Sequence, residues 1–253
     1  FCIVPFTRGR ERSRSNESII REVQDAVKNG FAEITLLGQN VNSYRTEEGK
    51  FPHLLEGVAL VPGVKRIRYM SPHPQDMDSH LLQVMSEHEN ICNYVHLPLQ
   101  AGSDRILKRM NRTYTKTEFL NLVDTIRDYM PDCSISTDII VGFTGETNAE
   151  YEETLEVMNQ VIFDRAFMFK YSSRPGTKAA EYSDQIDEDI KQGRLARLID
   201  LQQTHTLQAN QRRIGKVLKV MVEKESKKSP LQWSGRTEGN MGVIFDKNYE
   251  QIK

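Results

Sequence analysis

Amides and hydroxyls gather where the apolar runs of this sequence end. Gln39 and Asn40 follow the first run, Ser71 follows the second, and His96 and Gln100 close the third. In parallel sheets the ligand lies at the carboxyl ends of the strands, so these side chains are expected at one edge. Their chemistry suits the binding of a polar cofactor better than acid–base hydrolysis. For each residue alone, an ordinary structural role is the alternative.

Asp138 stands inside the apolar stretch STDIIVG, where an ionised carboxylate is costly unless it is paired. The residues alone leave two interpretations open: a structural network with an arginine, or a contact with a cofactor or substrate. Two glycine-containing turns, LQAGSD and GFTGET, lead into helices whose first N–H groups can bind an anion. Neither turn matches a phosphate-loop or dinucleotide fingerprint, so each is a weak motif when taken alone.

The first residues, FCIVPFTRGRERSR, place one cysteine before a row of arginines. A single thiolate cannot hold a metal cluster or a structural zinc, and a lone cysteine is most often a small buried hydrophobe. Alternate residues of an extended chain point the same way. Arg8, Arg10, Arg12 and Arg14 would then form one cationic edge suited to a carboxylate or to phosphates, whereas a helix would scatter them.

Charge is segregated along the chain, although the net charge of the 253 residues is only −1. Residues 206–253 carry ten Lys/Arg and five Asp/Glu, so the tail is basic and the body is acidic. This arrangement favours a nucleic-acid partner, with a merely solvated basic surface as the alternative. The candidate RNA contacts in the tail are Lys224, Lys227, Lys228 and Arg236.

Bulk composition indicates a globular protein in a reducing compartment. Apolar residues make up 38% of the chain and charged residues 27%, both ordinary values. No apolar run approaches the roughly 20 residues that a membrane helix needs, so no membrane partner is expected. Three widely separated cysteines do not form a disulfide framework, which favours a cytoplasmic location.

Strand-like and helix-like patterns alternate up to about residue 172, which predicts an α/β fold with a parallel sheet. A partial TIM-like (β/α)6 barrel is the preferred arrangement, and a doubly wound sheet is the alternative. The strands are expected near 2–5 and at 31–38, 65–71, 93–100, 134–143 and 164–172. The helices are expected at 16–30, 53–61, 78–88, 103–110, 116–130 and 148–162.

The pattern changes after a long polar helix at 187–211. Residues 216–224, 231–237 and 241–246 alternate with period two between turn residues, as in a small all-β barrel that three strands cannot close. We therefore predict a first domain over 1–213 and an incomplete β-barrel domain over 214–253.

Four stretches taken together resemble the methylthiotransferase family of radical S-adenosylmethionine (SAM) enzymes. They are FCIVPFTRGRERSR, EITLLGQNVNSY, YVHLPLQAGSDRILKRMNR and STDIIVGFTGET, and they run in order over nearly the whole chain. GQNVNSY and HLPLQAGSD resemble the tRNA branch, which adds a methylthio group at C2 of N6-isopentenyladenosine next to the anticodon. The tail from about residue 214 resembles the family's TRAM domain, a small RNA-binding β-barrel.

The resemblance implies SAM and a 4Fe–4S cluster as cofactors, with a second cluster in the full-length protein. Cys2 matches the last ligand of the family's Cys-x-x-x-Cys-x-x-Cys loop, whose first two cysteines are expected upstream. Phe1 matches the aromatic residue that lies near the adenine of SAM. Cys92 and Cys133 lack the spacing to replace the missing ligands and are expected to be packing residues. The chain would then be a fragment without its N-terminal domain.

The resemblance also implies roles and partners. Asp138 is assigned to catalysis, and Arg12 and Arg14 join the tail as RNA contacts. The expected partners are a tRNA with isopentenylated adenosine and an electron donor such as flavodoxin or ferredoxin, with the protein acting as a monomer. The alternatives are a ribosomal-protein methylthiotransferase of the same family, and an RNA-binding module that is inactive as this fragment. The further SAM contacts are Arg8, Arg10, Gln39, Asn40, Ser71, His96 and Gln100.

Overall fold

The computed structural model describes residues 7, 9 and 12–247, and five parallel strands follow one another within them. The strands of this part are β1 (Glu33–Leu36), the short antiparallel pair β2 (Arg45–Thr46) and β3 (Gly49–Lys50), then β4 (Arg66–Tyr69), β5 (Tyr94–His96), β6 (Ser134–Val141) and β7 (Arg165–Lys170). The five predicted strands that fall in the described part are confirmed. The sixth, expected near residues 2–5, lies outside the described residues.

The five parallel strands lie side by side in their chain order. β1 pairs with β4, and β5, β6 and β7 form a second parallel set. A parallel bridge between Ile67 and Ile91 joins the two sets, and the N–H of Ile67 donates to the carbonyl of Asn90 over 2.7 Å. Sequential parallel order is that of a barrel wall, because a doubly wound sheet reverses its strand order at a switch point. The fold is therefore a partial α/β barrel.

Helices connect the successive strands, as the sequence predicts. They are α1 (Asn16–Lys28), α2 (Phe51–Ala59), α3 (Ser79–Glu87), α4 (Asp104–Arg109), α5 (Lys116–Tyr129) and α6 (Asn148–Val161). Thr115 and Thr147 begin α5 and α6 with capping boxes, each paired with a glutamate three residues further on. Such reciprocal caps satisfy backbone donors that have no partner inside the helix, which explains why these helices begin where they do.

Each strand presents one face to the helices and the other to the barrel interior. Ile135, Ile139 and Val141 of β6 are buried in the apolar core shared with the helices. Alternate residues of a strand point to opposite faces, so Ser136 and Asp138 face the interior. The interior face of β6 is therefore the polar one, and it carries the candidate site.

A long helix, α7 (Glu188–Gln211), packs along the barrel and leads to a three-stranded antiparallel sheet. Leu198 of this helix is fully buried, and the Gln202 amide donates to the carbonyl of Phe163 over 2.9 Å. The described part of the chain contains no helix both long and apolar enough to cross a membrane. The sheet consists of β8 (Val220–Glu225), β9 (Gln232–Thr237) and β10 (Gly242–Asp246), as the period-two pattern predicts.

Two buried arginines of β4 attach this C-terminal sheet to the barrel. Arg66 donates to the carbonyl of Arg236 over 2.8 Å, and Arg68 donates to the carbonyls of Thr237 (2.7 Å) and Glu238 (2.9 Å). Each arginine is only 5% exposed, so these bonds replace the water that a guanidinium would otherwise need. Arg66 is the first residue of β4, and a Cβ on Gly239, next to Glu238, would lie 2.3 Å from Oγ of Ser134, the first residue of β6. The sheet therefore lies at the amino-terminal end of the barrel.

Candidate active site

A chain of hydrogen bonds crosses the interior face of β5 and β6. The Tyr94 hydroxyl lies 2.6 Å from Oγ of Ser136, which lies 2.8 Å from Nδ1 of His96. Nε2 of His96 is 3.3 Å from Oδ2 of Asp138. The parallel register places His96 beside Ser136, so strand pairing itself creates the contact. Among the residues that the structure describes, Asp138 is thus paired with a histidine, and not with the arginine that one interpretation of the sequence expected.

Donor and acceptor chemistry gives this chain one consistent direction. An ionised carboxylate only accepts hydrogen bonds, so Nε2 of His96 is the protonated nitrogen that donates to Asp138. With that tautomer, Nδ1 of His96 accepts from Ser136, and Ser136 accepts from Tyr94. The Asp138 side chain is 30% exposed, whereas that of His96 is 9% exposed. The buried groups therefore orient a carboxylate that stays open to the barrel interior.

Two strand ends of the barrel have left-handed backbone at residues other than glycine. Ser71 follows β4 with a φ of 58°, and Gln100 follows β5 with a φ of 70°. The N–H of Gln100 donates to the carbonyl of Asp138 (2.8 Å), and Ile140 donates back to the carbonyl of Gln100 (2.9 Å). Such backbone costs on the order of 1–3 kcal/mol and gathers at ligand sites. The strain coincides with two residues that the sequence assigned to cofactor binding.

The loops after β1 and β4 are joined by a reciprocal amide pair. Nδ2 of Asn42 donates to the carbonyl of His73 (2.9 Å), and the N–H of His73 donates to Oδ1 of Asn42 (2.7 Å). Asn42 is 7% exposed, so this buried pair of hydrogen bonds fixes the two loops to each other. Gln39 and Asn40 precede it as exposed residues, which leaves them at the rim of the open end.

The two glycine-containing turns use their backbone donors within the fold. Glu146 is 2% exposed, and Oε2 accepts from the N–H of Gly142 (2.7 Å) and from Arg194 (2.8 Å). Burial raises the pKa of the Glu146 carboxyl, while these donors act to lower it. In the other turn, the N–H of Gly102 donates to Oγ1 of Thr154 over 2.9 Å. These contacts argue against an anion site at either turn.

The two described cysteines are packing residues, as predicted. Cys92 and Cys133 are 3% and 8% exposed free thiols, and burial raises the pKa of each to about 12. Neither is a thiolate at neutral pH, so neither is suited to bind iron. Across the described ranges, no three His, Cys, Asp or Glu side chains form a group that could hold a metal ion. The predicted contacts that lie outside the described residues are Phe1, Cys2, Arg8 and Arg10.

The predicted RNA contacts differ in whether their positive charges are paired with a carboxylate of the fold. Arg14 pairs with Glu22 of α1 (2.5 Å), and Arg236 pairs with Glu223 of the neighbouring strand (2.5 Å). Those two cations are therefore engaged within the fold and are weaker candidates. Exposed cations that form no ion pair within the described part are Arg12, Lys224, Lys227 and Lys228.

Sequence reasoning missed three side chains of the interior face. Tyr94 closes the hydrogen-bond network, and Phe167 lies edge-on to His96 with the ring centroids 5.7 Å apart. Phe169, the third, is two residues further along β7 and faces the same way. The available signal was the alternation of Arg165, Phe167 and Phe169 in a strand whose place was correctly predicted.

The chain belongs to the radical SAM superfamily, whose model matches residues 1–158. SAM and a 4Fe–4S cluster are the cofactors of this class. The open end of the barrel fits SAM, because the strained turns at Ser71 and Gln100 and the partly exposed Asp138 bring polar groups to one edge. The residue predicted to bind the cluster lies outside the described part.

Two curated relatives of this chain share one enzyme name. The chain is 50% identical, over its full length, to a tRNA-2-methylthio-N(6)-dimethylallyladenosine synthase from Porphyromonas gingivalis. A protein of the same name from Acetivibrio thermocellus is 47% identical over 97% of the chain. The chain spans 56% and 52% of these two relatives, so it corresponds to about half of their length.

Solved structures support the fold alone. Methylornithine synthase has a TM-score of 0.53 at 16% identity, and the match covers 83% of this chain and 64% of that one. The radical S-adenosylmethionine methyltransferase TsrM from Kitasatospora setae also has a TM-score of 0.53, at 13% identity, with 66% of this chain and 33% of that one covered. These likenesses agree with the partial barrel described above.

Proposed function

We propose that this chain is the radical SAM part of a tRNA methylthiotransferase acting at C2 of N6-isopentenyladenosine next to the anticodon. The observation that carries the proposal is identity of about 50%, along the whole chain, to relatives named for that reaction. The site supports it, because its open end offers amides, hydroxyls and one oriented carboxylate, which suit a polar cofactor.

The chain's own residues would bind and orient the cofactors and the substrate, while the cofactors supply the reactive chemistry. When bound, the cluster and SAM provide the radical that removes hydrogen from the target carbon. Cys2 is proposed as the last cluster ligand, with Phe1 beside the adenine of SAM. The proposed contacts to the polar groups of SAM are Arg8, Arg10, Gln39, Asn40, Ser71, His96 and Gln100.

Asp138 is proposed to accept a hydrogen bond from SAM or from the target nucleoside. Its support is the network from Tyr94 through Ser136 to His96, which fixes the carboxylate in one orientation. A carboxylate held in this way accepts from an amino or hydroxyl group without reorganising when the ligand binds.

The C-terminal sheet is proposed as part of an RNA-binding TRAM domain over 214–253, following the radical SAM domain over 1–213. Its exposed lysines would contact the RNA backbone, and Arg12 and Arg14, beside the loop that follows β1, are proposed as a separate RNA contact. We place the enzyme in the cytoplasm as a monomer, with flavodoxin or ferredoxin as the electron donor.

The test uses the longer protein with its upstream cysteines, reconstituted anaerobically with iron and sulfide. Incubation with SAM, a reductant and isopentenylated tRNA is expected to yield the methylthio nucleoside by mass spectrometry. Cys2→Ala should abolish the product, whereas Cys92→Ala, which removes a buried thiol of the same kind, should retain it. A preparation that stays colourless and free of iron would refute the proposal. Unmodified tRNA together with a thiolated ribosomal protein would establish the alternative substrate.

A further inference from the structure

The interior face of β7 exposes a cation and two aromatic rings in a row. Arg165, Phe167 and Phe169 occupy alternate positions, and the two phenylalanines are 44% and 53% exposed. Ala166, on the opposite face of the strand, is buried. Large apolar side chains grouped on one open strand face commonly mark a binding surface.

The register places this row beside the network of the candidate site. Phe167 is the parallel partner of Asp138, and Phe169 is the partner of Ile140. Paired residues of neighbouring parallel strands project to the same face, so both rings lie on the wall that carries Asp138. The edge-on contact of Phe167 with His96 confirms this orientation. A ligand that reaches Asp138 from the side of β7 must therefore pass the two rings.

The chemistry of the row matches a nucleobase and its backbone. Aromatic side chains on an open sheet face stack unpaired bases, and a nearby arginine adds stacking or phosphate contacts. Arg165 is exposed and forms no ion pair within the described part of the chain. An Arg-x-Phe-x-Phe row on a strand provides this combination, with the side chains on one face.

We propose that Phe167 and Phe169 form the wall against which the target adenine and its apolar N6 substituent pack, with Arg165 contacting the adjoining RNA backbone. This inference rests on the proposed function and deepens it, because it names the residues that recognise the alkylated base. An N6-dimethylallyl group adds apolar surface to the adenine. An aromatic wall therefore favours the alkylated base over the plain one.

A segment of the longer protein packed on these rings is the competing occupant. The free guanidinium of Arg165 at the end of the row favours RNA, because a cation beside two aromatics suits a phosphate-bearing ligand. The place of the row beside Asp138 favours it too, because the reacting base must come close to the cofactor.

The experiment uses the longer enzyme with both clusters and a stem–loop RNA whose target adenine is either isopentenylated or plain. Equilibrium binding of each RNA is measured for the wild type, Phe167→Ala, Phe169→Ala and the aromatic replacements Phe167→Tyr and Phe169→Tyr. Phe31→Ala is the matched control, because Phe31 is 63% exposed and precedes β1 at the other end of the barrel. Iron content and the binding of SAM are measured on every variant.

Each alanine variant is expected to bind the isopentenylated RNA about tenfold more weakly, which is the order of one lost base–aromatic stack. The preference for isopentenylated over plain RNA should fall as well, while the tyrosine variants and Phe31→Ala stay near the wild type. Unchanged affinity and preference in both alanine variants would overturn the inference. So would loss of iron or SAM with RNA affinity intact, because the rings would then support the fold. Methylthiolation by the wild type is scored separately, so a failure of the proposed function is recognised independently.

Discussion

Arg194→Met is the most informative substitution for testing the buried ion pair that follows the strand of Asp138. Arg194 of α7 pairs with Glu146 in the turn that follows the strand of Asp138, and the two side chains are 8% and 1% exposed. Its second terminal nitrogen donates to Oδ1 of Asn148 over 2.8 Å. Methionine keeps much of the length and apolar packing of arginine but removes the charge, so it leaves Glu146 as an unpaired buried carboxylate.

The loss of stability has two parts. An unpaired Glu146 can become neutral by taking up a proton, and at pH 7 this costs about 3.4 kcal/mol for a carboxyl of ordinary pKa 4.5, at about 1.36 kcal/mol per pH unit. Lost hydrogen bonds to the arginine add about 1 kcal/mol. Together they predict a fall of about 3–5 kcal/mol in the free energy of unfolding, which is the range for breaking a buried ion pair.

The pH dependence separates this mechanism from a simple packing defect. Burial already raises the pKa of Glu146 in the wild type, and removing Arg194, which acts to lower that pKa, raises it further in the folded variant. The variant therefore gains more stability than the wild type as the pH falls from 7 toward 4.5. Urea unfolding of the variant and the wild type should therefore show a gap that narrows toward pH 5. Arg197→Met is the matched control, because Arg197 pairs with Glu152 on the exposed side of α7 and should change little. A loss below about 1 kcal/mol, or a gap independent of pH, would refute the reasoning.

Three further changes test other parts of the molecule. Gly102→Ala should lower the free energy of unfolding by about 1–3 kcal/mol in urea titrations, because a Cβ would lie 2.5 Å from backbone atoms of α6. Gly193→Ala should instead stabilise the protein, because the space around Gly193 is open. Equal effects of the two substitutions would contradict the steric argument. Ser136→Ala should remove the hydrogen bond that Nδ1 of His96 accepts, so the Nδ1 chemical shift should change while Nε2 stays the protonated nitrogen beside Asp138, and an unchanged Nδ1 shift would contradict the assigned network. Replacing Lys224, Lys227 and Lys228 by glutamine should weaken RNA binding by the longer protein and reduce the slope of log affinity against log salt concentration by about three. Lys28→Gln on α1 should change neither the affinity nor the slope. An unchanged slope in the triple variant would exclude these lysines as RNA contacts.

The sequence predicted the elements of the barrel well because local signals specify them. The β-branched run of β6 acts over a few residues, and the helices predicted to begin at 116 and 148 begin there, where the structure shows capping boxes at Thr115 and Thr147. The order of the strands was also accessible, because an alternation of strand and helix favours parallel neighbours. The link between β4 and β5 was not, because it depends on one bridge from Ile67 of β4 to Ile91, which precedes β5.

The candidate site was predicted at the level of its strand ends and not at the level of its contacts. Ser71 and Gln100 follow strands as predicted, because polar residues at strand ends form a local pattern, and their role in cofactor binding stays a prediction. The partner of Asp138 was not, because His96 is 42 residues away and becomes a neighbour only through the register of β5 and β6. The buried ion pair of Glu146 with Arg194 escaped for the same reason, since the two residues are 48 positions apart.

The proposed RNA-binding sheet and the proposed base-binding wall lie in different parts of the fold. Arg66, the first residue of β4, holds the sheet at the amino-terminal end of the barrel, whereas Asp138 lies further along β6, where its carbonyl accepts from the N–H of Gln100. Strands rise about 3.3 Å per residue, so Asp138 lies roughly 13 Å along the barrel wall from Ser134, the first residue of β6. Backbone phosphates are bound by net charge, which composition reveals. A base is bound by exposed aromatic faces, and only strand register shows that Phe167 and Phe169 stand beside Asp138.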